Sequence, residues 1–557
     1  MQERSTETRL GRAEHQRELA GELAAGGQTH QALAAHREAA TLYRSLVAED
    51  PGLLPDLAAT LNDLGNLLDD AGDLAGSLEA TREAVGLYRA AEARQPGMHL
   101  VCLARSLSNL SGCLDSAGLP LDAHEAARES VEIRRGLFLL DPASGGELAG
   151  GLNNLALRLD DLGQIAEAVD AAREAVSLAR EAASRDTQRT RLVAQTLDTL
   201  SGRLASAGLH HEALVAIEES LVLHRALSGE GPSATKSLAN GLNNLALCLD
   251  RLGRRREAVA TMKEALALHR SLAQDDPDAF LSGLARTLGN LASLQGAPAQ
   301  RDESILLLRE AVSLHRALAL RDPGAFRPDL AMSLRNLSSR LGQAGRHQEG
   351  LPLAREAVQI CGELATTNPD GASHQLASSL DTLALLLGAA GQPREALEVI
   401  RAAVAIKRRL AAADPDAYLP GLATSQINLA ACLHENGYRV SALEISRETV
   451  QLNRSLAQKY HDARDSLALT LGNLSRQLEE IGLHEEALGA TREAIAVLSP
   501  LASNDPELFS AELSRHHRQE ASLLRALRFP RRAAPDRQVD DLAGLLPSPR
   551  APGSSGA

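Results

Sequence analysis

A leucine that returns at a near-constant interval restricts this chain more than any other feature. It stands at Leu19, Leu64, Leu110, Leu155, Leu200, Leu245, Leu291, Leu337, Leu383, Leu429 and Leu474, always 45 or 46 residues from the next. Such a period marks one supersecondary unit per copy, and a unit that short cannot bury its apolar face alone, so the copies must stack. A chain of 557 residues is therefore read as an array of repeats and not as several globular cores.

Around each anchor the pattern is helical. Another leucine usually lies three residues before it (Leu61, Leu107, Leu152, Leu197, Leu242) and a third four residues after it (Leu68, Leu114, Leu159, Leu204, Leu249), which makes one stripe of an α-helix, here helix A. The residue after the anchor is small (Gly65, Ser111, Ala156, Ser201, Ala246) and admits a second helix closely. Eight residues past the anchor comes a glycine, from Gly27 and Gly72 to Gly437 and Gly482, with Ala299 as the single exception. Glycine suits a helix end that turns back, because it reaches positive φ without a Cβ clash. Helix B follows, with alanines recurring thirteen and twenty residues past the anchor, such as Ala168 and Ala175. A proline, usually after Asp or Asn, is expected to end helix B and open a loop at Pro51, Pro96, Pro142, Pro232, Pro277, Pro323, Pro369, Pro415 and Pro506. Thr187 and His461 replace it in two copies, where looser junctions are expected.

Composition agrees with helix. Ala, Leu, Arg and Glu dominate, Trp is absent, and only five Phe and five Tyr occur. The reading is an all-α, α-α superhelical solenoid of about eleven helical hairpins over residues 1–506, a capping helix over 507–528, and a disordered tail over 529–557.

The formal charge of −14 argues against general affinity for nucleic acid or anionic membranes. The start, MQERSTETRL, lacks an apolar h-region, and no stretch approaches the ~20 apolar residues that cross a bilayer, so a cytoplasmic location is expected. Five cysteines (Cys102, Cys113, Cys248, Cys361, Cys432) at spacings that fit no common metal site read as reduced packing residues. No phosphate loop, zinc-protease motif or nucleophile elbow is present, and Ser233 to Lys236, an S-x-x-K match, is placed in an inter-repeat loop without companion motifs. Neither catalysis, nor a cofactor, nor a metal site is expected.

The ordered set of leucine, small residue, leucine, glycine, alanines and proline resembles the tetratricopeptide repeat. LNNLALRLDDLGQIAEA from Leu152 and LNNLALCLDRLGRRREA from Leu242 are similar to the longer-period subclass typified by kinesin light chains. The resemblance implies a protein-interaction scaffold whose A helices line a concave groove, with a protein or peptide as partner.

At ~100° per residue, the position just before the anchor lies roughly 130° from the centre of the leucine stripe and is expected to be exposed. It is asparagine at Asn109, Asn154, Asn244, Asn290, Asn336, Asn428 and Asn473. A carboxamide matches both the N–H and the C=O of an extended peptide, and the resemblance implies that use. Two other readings stay open: amides that bond a neighbouring helix, and residues inherited by duplication. Arg158, Arg203 and Arg340, three past the anchor, are expected on the same face. On helix B, Glu at plus nineteen (Glu83, Glu129, Glu174, Glu219) and Arg at plus twenty-five (Arg89, Arg135, Arg180, Arg225) are expected to pair between repeats, while His224, His269 and His315 at plus twenty-four are expected to be partly solvated. Rival readings are a self-assembling structural scaffold and a regulatory subunit that binds no peptide. An acidic-leucine stretch, Asp540 to Pro547, is a candidate to occupy the chain's own groove.

Overall fold

In the computed structural model the described residues are 2–186, 189–295, 300–367, 369–459, 463–504 and 506–528. Ala299, Thr187, His461 and the tail from Phe529, with Asp540 to Pro547, lie outside them. Among the described residues there are 23 α-helices and no strand.

The chain divides into two compact units, Met1–Pro415 and the part from Asp416 onward. In the first, A and B helices alternate as α1 (Gln2–Ala25) and α2 (Thr29–Val47), α3 (Leu54–Asp70) and α4 (Leu74–Arg94), α5 (Leu100–Ser116) and α6 (Pro120–Leu140), α7 (Gly145–Asp161) and α8 (Ile165–Arg185), α9 (Thr190–Ser206) and α10 (His210–Leu227). The series continues with α11 (Pro232–Arg251) and α12 (Arg255–Asp275), α13 (Pro277–Leu294) and α14 (Arg301–Arg321), α15 (Pro323–Gln343) and α16 (His347–Thr367), α17 (Pro369–Ala389) and α18 (Pro393–Ala413). The second unit holds α19 (Pro415–Glu435), α20 (Arg439–Lys459), α21 (Ala463–Glu480), α22 (His484–Asn504) and α23 (Pro506–Arg528). The fold is all-α, a solenoid of helical hairpins.

Both turns of the repeat follow from their residues. Gly118 sits at φ +73°, its N–H donates to the Asp115 carbonyl (2.8 Å), and the Leu119 N–H reaches back to the Leu114 carbonyl (2.9 Å). This satisfies the orphan carbonyls at the end of α5 while the chain reverses. Gly27, Gly72, Gly163, Gly208, Gly253, Gly345, Gly391, Gly437 and Gly482 repeat the positive φ.

The proline junction is tighter than the sequence suggests. At Pro232, Pro277, Pro323, Pro369, Pro415 and Pro506 proline opens the next helix instead of a loop, whereas Pro96 lies in a loop as expected and Pro51 and Pro142 begin short 3-10 turns. Asp276 ends α12 and caps α13, with Pro277 as its first residue, and Asp322 does the same between α14 and α15. Their carboxylates accept from the Ala279 N–H (3.2 Å) and the Ala325 N–H (3.0 Å). Proline at a first helical position loses no hydrogen bond, and Asp is a preferred N-cap, so Asp-Pro is a complete junction.

The core is a chain of adjoining clusters. In the first unit, Leu152, Leu197 and Ala156 interlock with Ala168, Ala172 and Ala175 of α8, and Leu288 and Leu291 pack with Met262 and Ala258 of α12. Small alanines on B meet leucines on A, which is what lets the helices lie close. In the second unit, Leu471, Leu474 and Leu478 pack with Ala487, Ala494 and Leu523. Leu523 belongs to α23, which lies against α22.

A candidate protein-binding face on the A helices

In the first unit each A helix after α1 packs against its own B helix and against the B helix before it, as α5 does against α6 and α4. The buried arc is therefore wider than the leucine stripe alone. On α5 it takes in Leu103, Ala104, Ser106, Leu107, Leu110, Ser111, Cys113 and Leu114.

This arc corrects the expectation for the asparagines. Asn244 is exposed, but Asn109, Asn154, Asn290, Asn336, Asn428 and Asn473 are half-buried, on the shoulder between one A helix and its neighbour. Two amides are spent across that seam. Asn109 Nδ2 donates to Asn62 Oδ1 (3.2 Å) and Asn66 Oδ1 (3.0 Å), and Asn290 Nδ2 donates to Asn243 Oδ1 (2.9 Å). Asn473 Oδ1 accepts from Arg476 (3.2 Å), and Asn244 Oδ1 accepts from Asn243 at 3.4 Å, leaving its own N–H groups unused. Asn154, Asn336 and Asn428 make no side-chain hydrogen bond to any described residue.

The three arginines are on the seam as well. Arg158 pairs with Asp115 of the preceding A helix, and Arg203 Nη1 lies 2.6 Å from Asp160 Oδ2, again one helix back. Arg340 donates to the Ala292 carbonyl (2.9 Å) and to Gln343 Oε1 (3.1 Å). All three are committed to holding neighbouring repeats together.

The most open positions are two past and five before the anchor, almost diametrically opposite the stripe. Three carry large apolar side chains in the first unit: Leu247 is 41% exposed, Leu385 53% and Met332 42%. The sequence reading missed them because it centred the exposed face about 50° off. A stricter count of ~100° steps from the stripe finds them.

On the B helices the charge rows pair as expected. In the first unit Arg44, Arg89, Arg135, Arg180, Arg225, Arg270 and Arg316 meet Glu83, Glu129, Glu174, Glu219, Glu264, Glu310 and Glu356 of the next repeat. A second row went unread: Arg173, Lys263, Arg309 and Arg355 pair with Glu212, Glu303, Glu349 and Glu395. These contacts are solvent-exposed, and each contributes about 0–1 kcal/mol.

The histidines are a correction. His224, His269 and His315 are buried, because plus twenty-four on helix B is wedged between its own A helix and the next. His224 Nε2 lies 2.7 Å from Asp198 Oδ2, and His315 Nδ1 lies 2.8 Å from Ser333 Oγ. Neither ring nitrogen of His269 has a hydrogen-bond partner, and burial, with Arg286 and Lys236 nearby, brings its pKa down to about 4. Lys407 fills the same position on α18 and donates to Asp381 Oδ2 at 2.6 Å, both side chains being buried.

Ser233 to Lys236 forms the first turn of α11, not a loop. The cysteines Cys113, Cys248, Cys361 and Cys432 are buried, and burial pushes the Cys432 thiol up to about 11. No helix among the described residues is long and apolar enough to cross a membrane.

Antiparallel helix pairs, stacked through leucine and alanine and joined by glycine turns and Asp-Pro junctions, define a helical-repeat protein. Residues 148–188, 238–278, 330–365 and 376–416 match the family described as Tetratricopeptide repeat, so the chain carries tetratricopeptide repeats there. It is a protein-interaction scaffold in that general sense. Similar solved structures include BtubC (BKLC) from P. vanneervenii, with 23% identity over 44% of this chain and 91% of that one, at a TM-score of 0.36. A putative kinesin light chain from Podosopora anserina with nearly identical TPR-like repeats has 24% identity over 40% of this chain and 98% of that one, at a TM-score of 0.31. None of the curated proteins matches the chain.

Proposed function

We propose that the A-helix face of the first unit binds an extended polypeptide segment of a partner protein. The observation that carries this reading is the contrast between spent and unspent groups. Arginines and glutamates of the B helices neutralise one another, whereas the A face keeps amide donors at Asn154, Asn244 and Asn336 beside exposed Leu247, Met332 and Leu385. Carboxamides bond a peptide backbone whatever its sequence, and apolar side chains between them add affinity by burial. Asn109 and Asn290, and the arginines Arg158, Arg203 and Arg340, support the face by fixing its spacing instead of touching the ligand.

The test compares partner capture by the intact chain with capture by an Asn154→Ala, Asn244→Ala, Asn336→Ala triple variant and by an Asn109→Ala, Asn290→Ala double variant. The first is expected to lose bound protein while its helical signal stays unchanged; the second is expected to keep its partner with a slightly lower melting temperature. Retention of every partner by a folded triple variant overturns the reading.

A further inference from the structure

The third repeat departs from the chain's own pattern at one place. A cavity of about 650 Å³ lies among the start of α5, the end of α6 and the start of α7, with Arg105, Arg134, Val101 and Leu140 in its wall. Thirty residues past the anchor, the other copies mostly carry a charge (Glu49, Arg94, Arg185, Glu230, Asp275, Arg321, Lys459), but here stands Leu140. It is 84% exposed, and Val101 opposite is 62% exposed. Large apolar side chains held open to water around a concavity of this size are a feature of ligand sites.

The charges in the wall do not cancel. Asp141 is occupied as a cap, accepting from the Ala143 N–H at 3.0 Å, and Glu147 faces Arg189 at 3.7 Å. Arg134 has no carboxylate in contact: its guanidinium donates to the Glu147 carbonyl (2.5 Å) and to Ser108 Oγ (3.2 Å). Arg105 makes no side-chain hydrogen bond or ion pair with any described residue. Burial, with Arg105 nearby, pulls the Arg134 pKa below its ordinary value, and the carboxylate of Glu147 offsets this only in part. The wall thus holds three arginines, Arg105, Arg134 and Arg189, against two carboxylates, Asp141 and Glu147, and neither Arg105 nor Arg134 makes an ion-pair contact with either acid.

We infer that this cavity binds a small amphipathic carboxylate, its carboxylate set between Arg105 and Arg134 and its hydrocarbon part covering Val101, Leu137 and Leu140. A guanidinium pair suits a carboxylate through charge-assisted hydrogen bonds, and the volume suits a ligand of metabolite size. The site stands apart from the polypeptide reading of the A face and does not depend on it.

Octanoate is the probe, titrated into the full chain carrying labelled Leu and Val methyl groups, with octyltrimethylammonium as the cation of equal chain length. The Val101 and Leu140 methyl resonances are expected to move with octanoate and to require at least about tenfold more of the cation. Arg105→Gln and Leu140→Asp are each expected to weaken octanoate about tenfold; both residues are exposed, so an unchanged melting temperature shows that the variants fold. Equal response to both head groups, unchanged affinity in the variants, or no shift at these two methyls overturns the inference. Binding of an acidic leucine-rich peptide without binding of octanoate overturns it too, by assigning the cavity to the polypeptide-binding face.

Discussion

Two rows of side chains run along the B helices one residue apart, and they have opposite surroundings. Arg225, Arg270 and Arg316 are exposed and reach across to glutamates of the next repeat, while His224, His269 and His315, their immediate neighbours in sequence, are buried. One step along a helix is a turn of about 100°, enough to pass from water to the seam between two A helices. Both rows recur equally well. Recurrence marks a position as equivalent in every copy and says nothing about whether it is wet.

The buried row should therefore dominate stability, and the largest effect is expected at Lys407. Lys407→Met leaves Asp381 as a buried carboxylate without its ammonium, which should cost about 3–5 kcal/mol. Faster amide hydrogen exchange in α17 and α18 would show it, and exchange unchanged there would place the pair outside the energetics of the fold. Next comes acid. His269 is held neutral with a folded pKa of about 4 against an ordinary 6.5. Its stabilising contribution is complete above pH 6.5 and is lost as pH falls towards 4, by about 3 kcal/mol in all. His269→Leu should flatten that slope in a series of melts over pH; a slope identical to the parent would contradict the assignment. Smallest is the exposed row: Arg180→Ala should shift stability by no more than about 1 kcal/mol, less again in high salt. A larger loss would mean that the rungs act as one network and not as separate pairs.

Much of the fold was legible because each signal is local. Leucine spacing gives helix A, the glycine gives the reversal, and Asp-Pro marks the boundary, although its compactness as cap and first turn at once appears only in the structure. The candidate face was legible in outline and misplaced in detail. Asn109 and Asn154 look alike in sequence, and the side chain one repeat earlier differs, Asn62 facing the first and Ser108 standing at the equivalent place for the second, so only the first amide is already bonded. The cavity residues Arg134 and Leu140 were passed over for the converse reason: they are departures, and a period draws attention to what recurs.

The junctions at Asp276 and Asp322 also limit how a gene for such a chain can change. One non-helical residue separates α12 from α13 and α14 from α15, so an inserted codon has no slack to occupy. Taken up into the first turn of α13 or α15, it would turn the rest of that helix by about 100° and present the wrong edge to the hairpin before it. Growth or loss by whole hairpins leaves the phase intact, so length polymorphism in this chain should come in steps of a full hairpin and hardly ever as single-residue indels at the aspartates.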